Sequence, residues 1–515
     1  MSRTFTIEWF GKRHRLVLMC LGLVLIVCAS CEPEITRGES GVIKVSPSQN
    51  LQSIIDRARP GDVIELEAGK VYEGPLTLPK KDGNTFITIR SSRAAELPEG
   101  VRVTPAQSAL FAKLQSSEGG EPVIKTVAGA HHYRIIGLDI STATPKTVVY
   151  DLVRIGDPKQ TAADVPHDFV IDRSYIHGHP TQDVQRGVAT NGAEITVSNS
   201  HISEIHGRGF EAQAICGWNG PGPFRIVNNY LEGAGENIMF GGADPSIPNL
   251  IPTNIEIRGN HLFKPLSWKK SDSSYGGIHW GVKNLLEIKM GRNVIIDGNI
   301  LENCWGDAQI GYAVLFTVRN QNGKAPWATI ENLSFTNNIV KNSEQGFQLL
   351  GKDYPNRSEQ ATGLTISNNL FIDIANRFLT MSGYNNVTLT HNTHFQGGNI
   401  MSLYGDPSMG FVYTDNITNR GEKGYGLFGD GVGEGNPALA RYVPGATIRN
   451  NVIIGASANN YPRQNAYPAS AAEVKFVDFQ NGNFRLSPQS RFKNTASDKT
   501  DPGCHFDRLP QQKKN

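Results

Sequence analysis

Two stretches decide the fold: Ile255-Glu256-Ile257-Arg258-Gly259-Asn260 and Val294-Ile295-Ile296-Asp297-Gly298-Asn299. Each is a short apolar run rich in β-branched residues, as expected of a strand, followed by a polar turn that ends in Asn. The same unit recurs along the chain, and successive turn Asn residues lie 23 to 39 positions apart. Other copies end at Asn199, Asn229, Asn338, Asn369, Asn392, Asn416 and Asn451.

This repeat predicts a solenoid. Strands of four or five residues without long amphipathic helices between them cannot form βαβ units. In a solenoid each strand pairs with its copies in the coils above and below, about 4.8 Å away. The turn Asn tolerates left-handed backbone geometry and can hydrogen-bond to its copy. We therefore predict an all-β, right-handed parallel β-helix with three sheets. The alternative, a propeller, would show an aromatic motif in each blade.

The N-terminal segment 1–31 predicts export. Four basic residues within positions 3–15 precede the uncharged apolar run 16–27, and Ala29-Ser30-Cys31 ends the segment. This run is short for a membrane span and is typical of a secretory signal. The segment resembles a bacterial lipoprotein signal, which implies that Cys31 is lipidated and anchors the protein to a membrane, in the periplasm or at the cell surface. A plain secretory signal and an uncleaved anchor are the alternatives.

The rest of the chain divides into three parts. Residues 32–44 are predicted to be a linker, residues 45–490 the β-helix, and residues 491–515 a polar tail, of which 501–515 should fray. Within the β-helix, Leu51, Ile54, Ile55 and Ala58 recur at helical spacing. We expect a short helix here that caps the open end of the stacked strands.

Composition limits the partners. The chain has 515 residues, of which 39% are hydrophobic and 19% charged, enough for a large core. Its net charge of +2 gives no field that would attract nucleic acid, and we expect a monomer without a nucleic-acid partner. Beyond Cys31 the three cysteines Cys216, Cys304 and Cys504 are too few for a disulfide scaffold. The scattered histidines, among them the pair at 131–132, are interpreted as turn or surface residues.

Charged residues on predicted strands of one sheet suggest chemistry. In the strand 285–289, Leu286 and Ile288 should point inward, so Glu287 and Lys289 share the outer face. Arg319 should point outward one coil further on, and the three side chains would then meet on an exposed surface. Such a trio suits β-elimination of a uronate polysaccharide, which needs a base and a cation that binds the carboxylate. The alternative is a set of solvated surface charges.

A resemblance supports this interpretation. The stretch from Glu287 to Asn299 is similar to the catalytic coil of polysaccharide lyase family six, the chondroitinase B and alginate lyase group, within the pectate-lyase-like β-helix superfamily. It implies that Lys289 is the base, that Arg319 is the catalytic arginine, and that Glu287 binds Ca²⁺. It also implies an acidic polysaccharide as substrate. The chain further resembles β-helix proteins of environmental bacteria, from which no function is carried over.

Other residues are candidates for substrate binding. His279 and Trp280 lie in a Gly-rich loop, where Trp280 can stack on a sugar and His279 can act as acid or base. Trp218 and Asp244 are predicted to lie towards the same side. The alternatives are a loop that packs on the solenoid and turns formed by Gly, Asn and Asp.

Two further functions remain open. A glycoside hydrolase would need two carboxylates on one face, and Asp307 and Glu287 are possible partners. A non-catalytic glycan-binding surface lipoprotein would use the Gly-rich motifs only to shape loops.

Overall fold

The computed structural model describes residues 41–117, 119–144 and 148–511. These residues are nearly all β and form three parallel sheets wound as a right-handed parallel β-helix, which confirms the predicted fold. The signal segment and Cys31 lie outside the described residues. In the part of the chain that the structure describes, every helix is too short or too polar to cross a membrane.

Each coil contributes one strand to each sheet. Sheet A has 14 strands: Val42–Val45, Val63–Leu66, Ile87–Ser91, His131–Ile136, His167–Asp172, Ala193–Ser198, Phe224–Val227, Thr253–Arg258, Gly291–Asp297, Ile330–Thr336, Thr362–Ser367, Asn385–Thr390, Val412–Thr414 and Thr447–Arg449. Sheet B has 13: Val71–Gly74, Ala112–Ser116, Leu138–Thr142, Tyr175–His177, His201–Ile205, Tyr230–Gly233, His261–Phe263, Ile300–Cys304, Ile339–Ser343, Leu370–Ile374, Thr393–Gln396, Ile417–Asn419 and Val452–Ile454.

Sheet C also has 13 strands: Leu76–Leu78, Ile124–Thr126, Val149–Ile155, Val184–Thr190, Gln213–Gly217, Glu236–Phe240, Leu286–Ile288, Tyr312–Thr317, Gln345–Leu350, Leu379–Ser382, Met401–Leu403, Leu427–Gly429 and the antiparallel Gly433–Glu434. A separate antiparallel pair comprises Phe476–Asp478 and Asn483–Leu486. The α-helices are Leu51–Arg57, Asn436–Tyr442 and Ala471–Val474. The 3₁₀ turns are Ala94–Glu96, Pro105–Leu110, Ala162–Asp164, Leu266–Trp268, Ala458–Asn460 and Phe506–Arg508.

The core is a set of stacked apolar rows inside the coil. In sheet A, Ile255 pairs in register with Val294, and Val294 with Leu333, and all three side chains are buried. Burial of each such side chain contributes roughly 1.5–3 kcal/mol. Because side chains alternate along a strand, the polar residues between them face outward. The interior rows therefore determine which outward side chains become neighbours.

The turn after sheet A carries a continuous row of buried Asn side chains. Asn299, for example, donates from its backbone N and its Nδ2 to Asn338 Oδ1, at 2.8 and 2.9 Å. The predicted bonding between copies is confirmed. The left-handed geometry belongs to the residue before most copies, such as Gly298 (φ 64°) or Asn337 (φ 57°). The predicted copy at Asn199 is corrected: Asn199 is itself left-handed (φ 51°), and Ser200 takes the equivalent position, since its backbone N donates to Asn229 Oδ1 at 2.9 Å. The row comprises Asn229, Asn260, Asn299, Asn338, Asn369, Asn392, Asn416, Asn451 and Asn465.

The predicted capping helix is present at Leu51–Arg57. Asn50 accepts a hydrogen bond from Ser53 N (2.9 Å) and so caps its first turn. Gln52 donates to Thr77 O and accepts from Thr77 N, at 2.9 and 2.8 Å. Thr77 lies in the edge strand Leu76–Leu78, so one amide side chain replaces the missing neighbour of that strand.

Both predicted boundaries of the β-helix shift. The first strand, Val42–Val45, pairs with Val63–Leu66, so the fold begins within the predicted linker 32–44. At the other end the last solenoid strand is Val452–Ile454, well before residue 490.

The predicted fraying is wrong for the described residues 501–511. Cys504 and Leu509 are buried against Ile339 and Leu370 of sheet B, together with Phe484. His505 N also donates to Asn368 Oδ1 at 2.5 Å. The segment is ordered because its few apolar residues cover apolar side chains on the outer face of sheet B.

Candidate functional site

The outer face of sheet C brings polar residues of successive coils into rows. The register pairs Arg186 with Gln213 and Gln213 with Glu236. In the next row Met239 pairs with Glu287. The strands that carry Gln213, Glu236 and Glu287 match the strands predicted from the sequence, 214–218, 237–240 and 285–289, to within about two residues, which confirms that they share one sheet.

Glu287 and Lys289 face outward as predicted, and Lys289 Nζ lies 3.5 Å from Glu287 Oε1. They are not on an exposed surface, because the Glu287 side chain is only 1% exposed and that of Lys289 12%. That part of the prediction is wrong. The connections between strands cover this outer face of sheet C. One example is the connection 264–285, whose residue Lys283 lies against Glu236 of the sheet.

Lys283 joins a buried cluster of charges over sheet C. Its Nζ lies 2.6 Å from Glu211 Oε1 and 3.0 Å from Glu236 Oε1. The nearby Lys264 is fully buried and donates to the backbone carbonyls of residues 233, 234 and 235. Burial lowers the pKa of Lys264 to about 8.

The pKa values of the two buried acids of the cluster, Glu287 and Glu236, are shifted in opposite directions. Burial raises the pKa of Glu287 to about 7, although Lys289 opposes the shift. For Glu236, burial also acts to raise the pKa, but Lys283, Lys289 and a hydrogen bond from Gln213 outweigh it, so the pKa is lowered. Such a divided pair is a common arrangement in acid–base sites.

A cavity of about 230 Å³ opens beside this cluster. Trp218 forms part of its wall, with the Arg186 guanidinium 4.9 Å from the ring centroid. Two polar atoms in the wall, Arg186 Nε and Gln213 Oε1, are buried and have no hydrogen-bond partner among the described residues. Since unpaired buried polar groups are costly, these atoms are suited to bind a polar ligand. Glu211, Cys216, Met239, Gly241 and Gly242 complete the lining with Gln185 and Ala243.

The turn at Gly241 and Gly242 joins this cavity to Lys289. Both glycines have left-handed φ values, +90° and +85°. A Cβ on Gly241 would lie 3.0 Å from Lys289 Cβ and 2.9 Å from Met290 N. Lys289 therefore packs directly behind the cavity wall, and only glycine allows this approach.

Arg319 lies beside Lys289 in the next coil, since its backbone N donates to Lys289 O at 3.1 Å. Its guanidinium binds Asp353 Oδ1 at 2.9 Å and is about one third exposed. Lys289 and Arg319 are thus neighbours across coils, but each side chain is paired with a different acid.

A larger groove of about 690 Å³ runs over the outer face of sheet A. Its charged pair, Arg225 and Glu256, lies 3.2 Å apart and is satisfied. In the described chain none of its lining residues has a buried polar atom without a partner. The smaller cavity on sheet C is therefore the stronger candidate site, because it alone combines unpaired buried groups with the charged cluster.

The remaining candidates occupy the connections around the site. His279 Nε2 lies 2.7 Å from Asp307 Oδ1, and Asp307 Oδ2 accepts from Val282 N at 3.0 Å. The pair is partly exposed, so His279 remains available for acid–base work. The acids that act on Glu287 are Glu236 and Glu211.

Trp280 is buried, which corrects its predicted role in stacking on a sugar. It is 3% exposed and stacks on His206, with ring centroids 3.7 Å apart. Trp268 and Trp305 pack around it. Asp244 accepts from the backbone N atoms of Asn322 and Lys324, at 2.9 and 3.0 Å, so it anchors a loop rather than facing the cavity.

The surroundings of Glu287 do not fit Ca²⁺. This ion prefers six to eight oxygen ligands, whereas Glu287 faces the ammonium groups of Lys289 and Lys283. In the part of the chain described, three metal-ligand atoms come together only at two histidine-containing clusters elsewhere. Glu287 is instead the ion-pair partner of Lys289.

Sequence reasoning missed Arg186, Gln213, Glu236 and Lys283. Gln213 and Glu236 each begin a strand of sheet C, and Glu236 directly precedes the predicted strand 237–240. That position was a usable signal, but the coil lengths of 23 to 39 residues conceal which strand positions are in register.

Comparisons with known proteins agree with the fold. No protein-family model and no curated protein sequence matches the chain. Among solved structures, the PL6-family alginate lyase AlyGC has a TM-score of 0.50 and 12% identity, and the match covers 91% of this chain and 58% of the lyase. The chain shares the right-handed parallel β-helix fold of this lyase.

Two other β-helix structures match less closely. The catalytic unit of a GH87 α-1,3-glucanase from Streptomyces thermodiastaticus HF3-3 has a TM-score of 0.47 and 10% identity, covering 82% of this chain and 65% of that one. An alginate lyase from Paenibacillus sp. FPU-7 has a TM-score of 0.34 and 17% identity, covering 67% and 98%. The chain spans less than two thirds of the AlyGC and glucanase chains. Identities this low bear on the fold alone.

Proposed function

We propose that this protein is a polysaccharide lyase that cleaves an acidic polysaccharide by β-elimination at the sheet C cavity. One observation carries the proposal: Lys289 packs against the glycine turn 241–242, which lines the cavity together with Arg186 and Gln213. One terminal nitrogen of Arg186 is paired with Asp151 Oδ1 at 3.1 Å, whereas its Nε has no partner among the described residues and suits the carboxylate of a uronate. Trp218, in the same wall, supplies an apolar face for a sugar ring.

The residues divide the reaction among them. Arg186 binds and neutralises the uronate carboxylate, which makes the proton on the adjacent carbon more acidic. The side-chain nitrogen of Lys289 takes that proton, and the electron pair forms a carbon–carbon double bond while the bond to the glycosidic oxygen breaks. The leaving oxygen takes a proton from the Lys289 ammonium. Arg319 stabilises the developing charge from the next coil.

The test measures unsaturated uronate by its ultraviolet absorbance on alginate, pectate and glycosaminoglycans. We expect absorbance with one of these substrates, and a loss of about 10²- to 10⁴-fold in Lys289→Ala, the usual contribution of a general base. Lys341→Ala is the matched control, because Lys341 also pairs with a glutamate, Glu302 at 3.1 Å, but on sheet B. Equal rates in the two variants would contradict the proposal.

A glycoside hydrolase is the second candidate, favoured by the divided pKa values of Glu236 and Glu287. Here Glu287, protonated near neutral pH, would be the acid. New reducing ends without absorbance, lost in Glu287→Gln, would support it. Glycan binding with neither product would support a non-catalytic binding protein.

We also propose that the protein is exported and anchored through a lipid on Cys31. The basic start, the apolar run 16–27 and the small residues before Cys31 support this. A bacterial host supplied with labelled fatty acid should label the protein, and Cys31→Ser should lose the label and leave the membrane fraction. Labelling that persists in Cys31→Ser would refute the anchor.

A further inference from the structure

A second site lies where three successive strands of sheet A begin, His131–Ile136, His167–Asp172 and Ala193–Ser198. His131 pairs in register with His167, and His167 with Ala193. The residues that follow them, His132, Asp168 and Glu194, therefore stack in a column. We infer that His132, His167 and Asp168 form a binding site for a divalent transition-metal ion such as Zn²⁺.

The ligand atoms already converge. His167 Nδ1 lies 2.7 Å and His132 Nε2 3.8 Å from Asp168 Oδ2. These distances bracket the roughly 3.3 Å that separates two ligands of a tetrahedral zinc ion bound at about 2.0–2.1 Å. Small side-chain rotations are thus enough to admit the ion.

His131 orients one of the imidazole ligands. Its Nδ1 lies 2.8 Å from His132 Nδ1, and its ring stacks on that of His167, with centroids 4.8 Å apart. When His132 donates its Nδ1–H to His131, the lone pair of His132 Nε2 points towards Asp168. Metal-binding histidines are commonly held in this way by their second ring nitrogen.

The donor atoms suit a transition metal. One ligand atom from each of His132, His167 and Asp168 lies within 4.8 Å of the other two. Two imidazoles and one carboxylate form a nitrogen and oxygen donor set that suits Zn²⁺ and leaves its fourth position open to water.

The backbone geometry of this position favours Asn or Gly over His, Asp and Glu. His132, Asp168 and Glu194 have left-handed φ values of 59°, 60° and 53°. The same turn in later coils carries Asn254, Asn293, Asn332 and Gly363, residue types that adopt this geometry at little cost. Metal binding explains why His132 and Asp168, residue types that adopt a left-handed backbone less readily than Asn or Gly, stand at equivalent positions of successive coils.

The test uses the full chain after removal of metal with a chelator. Titration with Zn²⁺ should show a tight site, and Co²⁺ should give the visible absorption of a tetrahedral complex. Asp168→Asn should bind one equivalent fewer than the parent and lose the absorption. His167→Gln, which keeps a polar side chain of similar size, should behave alike if Asp168→Asn fails to fold.

His177→Ala is the matched control, because His177 also pairs with an aspartate, Asp139 at 3.1 Å, without a third ligand. It should keep the full stoichiometry. A second histidine cluster, formed by His391, Asp498 and His505, could also bind metal. Any ion bound there is counted equally in the parent and in each variant, so the difference in metal stoichiometry reports the His132 site alone. Unchanged stoichiometry in both Asp168→Asn and His167→Gln would overturn the inference and leave an imidazole–carboxylate hydrogen-bond network.

Discussion

Asn299 shows how a single side chain links three coils. Its Oδ1 accepts from Asn260 N in one neighbouring coil, and its Nδ2 donates to Asn338 Oδ1 in the other, both at 2.9 Å. It also donates to Ile257 O. All these groups are buried, so none of them can turn to water if the side chain is removed.

We therefore expect Asn299→Ala to lower the free energy of unfolding by about 2–4 kcal/mol, since several buried groups lose their partners. Urea denaturation followed by circular dichroism measures this. The control is Asn293→Gly, in an exposed Asn row with weaker bonds (3.2 and 3.3 Å), where glycine keeps the left-handed φ of 55°. A loss no larger than that of the control would show that the row contributes little.

At the scale of elements, the turn 241–242 positions the candidate base. It follows the strand Glu236–Phe240 and presses against the end of the next strand, where Lys289 lies. Its two glycines allow the close approach, and the same turn lines the cavity. The position of Lys289 thus depends on a neighbouring coil.

Gly241→Ala should reduce catalysis about 100-fold by displacing Lys289, because small misplacements of a reacting group are costly. The product assay on the polysaccharide identified for the parent protein measures this. Gly259→Ala carries a similar backbone strain (φ +62°) but its Cβ would meet nothing within 4 Å. This control should retain activity. A fully active Gly241→Ala would separate the turn from catalysis.

At the scale of the whole molecule, the C-terminal segment closes one side of the solenoid. Residues 471–511 leave the last coil and cover apolar residues of sheet B, including Ile339 and Leu370. The stacked strands alone would leave that strip exposed, and exposed apolar strips on sheets promote association.

A chain that ends at residue 470 should aggregate or bind a hydrophobic dye, and should unfold at a lower urea concentration. The lost burial amounts to several kcal/mol, at roughly 1.5–3 kcal/mol for each large apolar side chain. A chain that ends at residue 511 is the control and should behave like the parent. Equal stability of the two truncated chains would mean that the segment is dispensable.

Much of the architecture was predictable from local patterns. The strands, the Asn row and the capping helix follow from residues close together in the chain, such as Gly298 and Asn299. That Lys289 and Arg319 lie next to each other was predictable for the same reason, since each follows a recognisable strand of the same sheet. The ordered C-terminal segment was not, because its few apolar residues pack on residues of much earlier coils, such as Ile339 and Leu370.

Short strands and polar turns can be recognised from the chain alone, because strand periodicity and turn chemistry are properties of neighbouring residues. The folded coils, by contrast, bring Arg186, Gln213 and Trp218 into one cavity whose glycine turn contacts Lys289, and they bury Trp280. The physical reason is that interior packing sets the register between coils of unequal length, while the connections decide which outward residues lose contact with water.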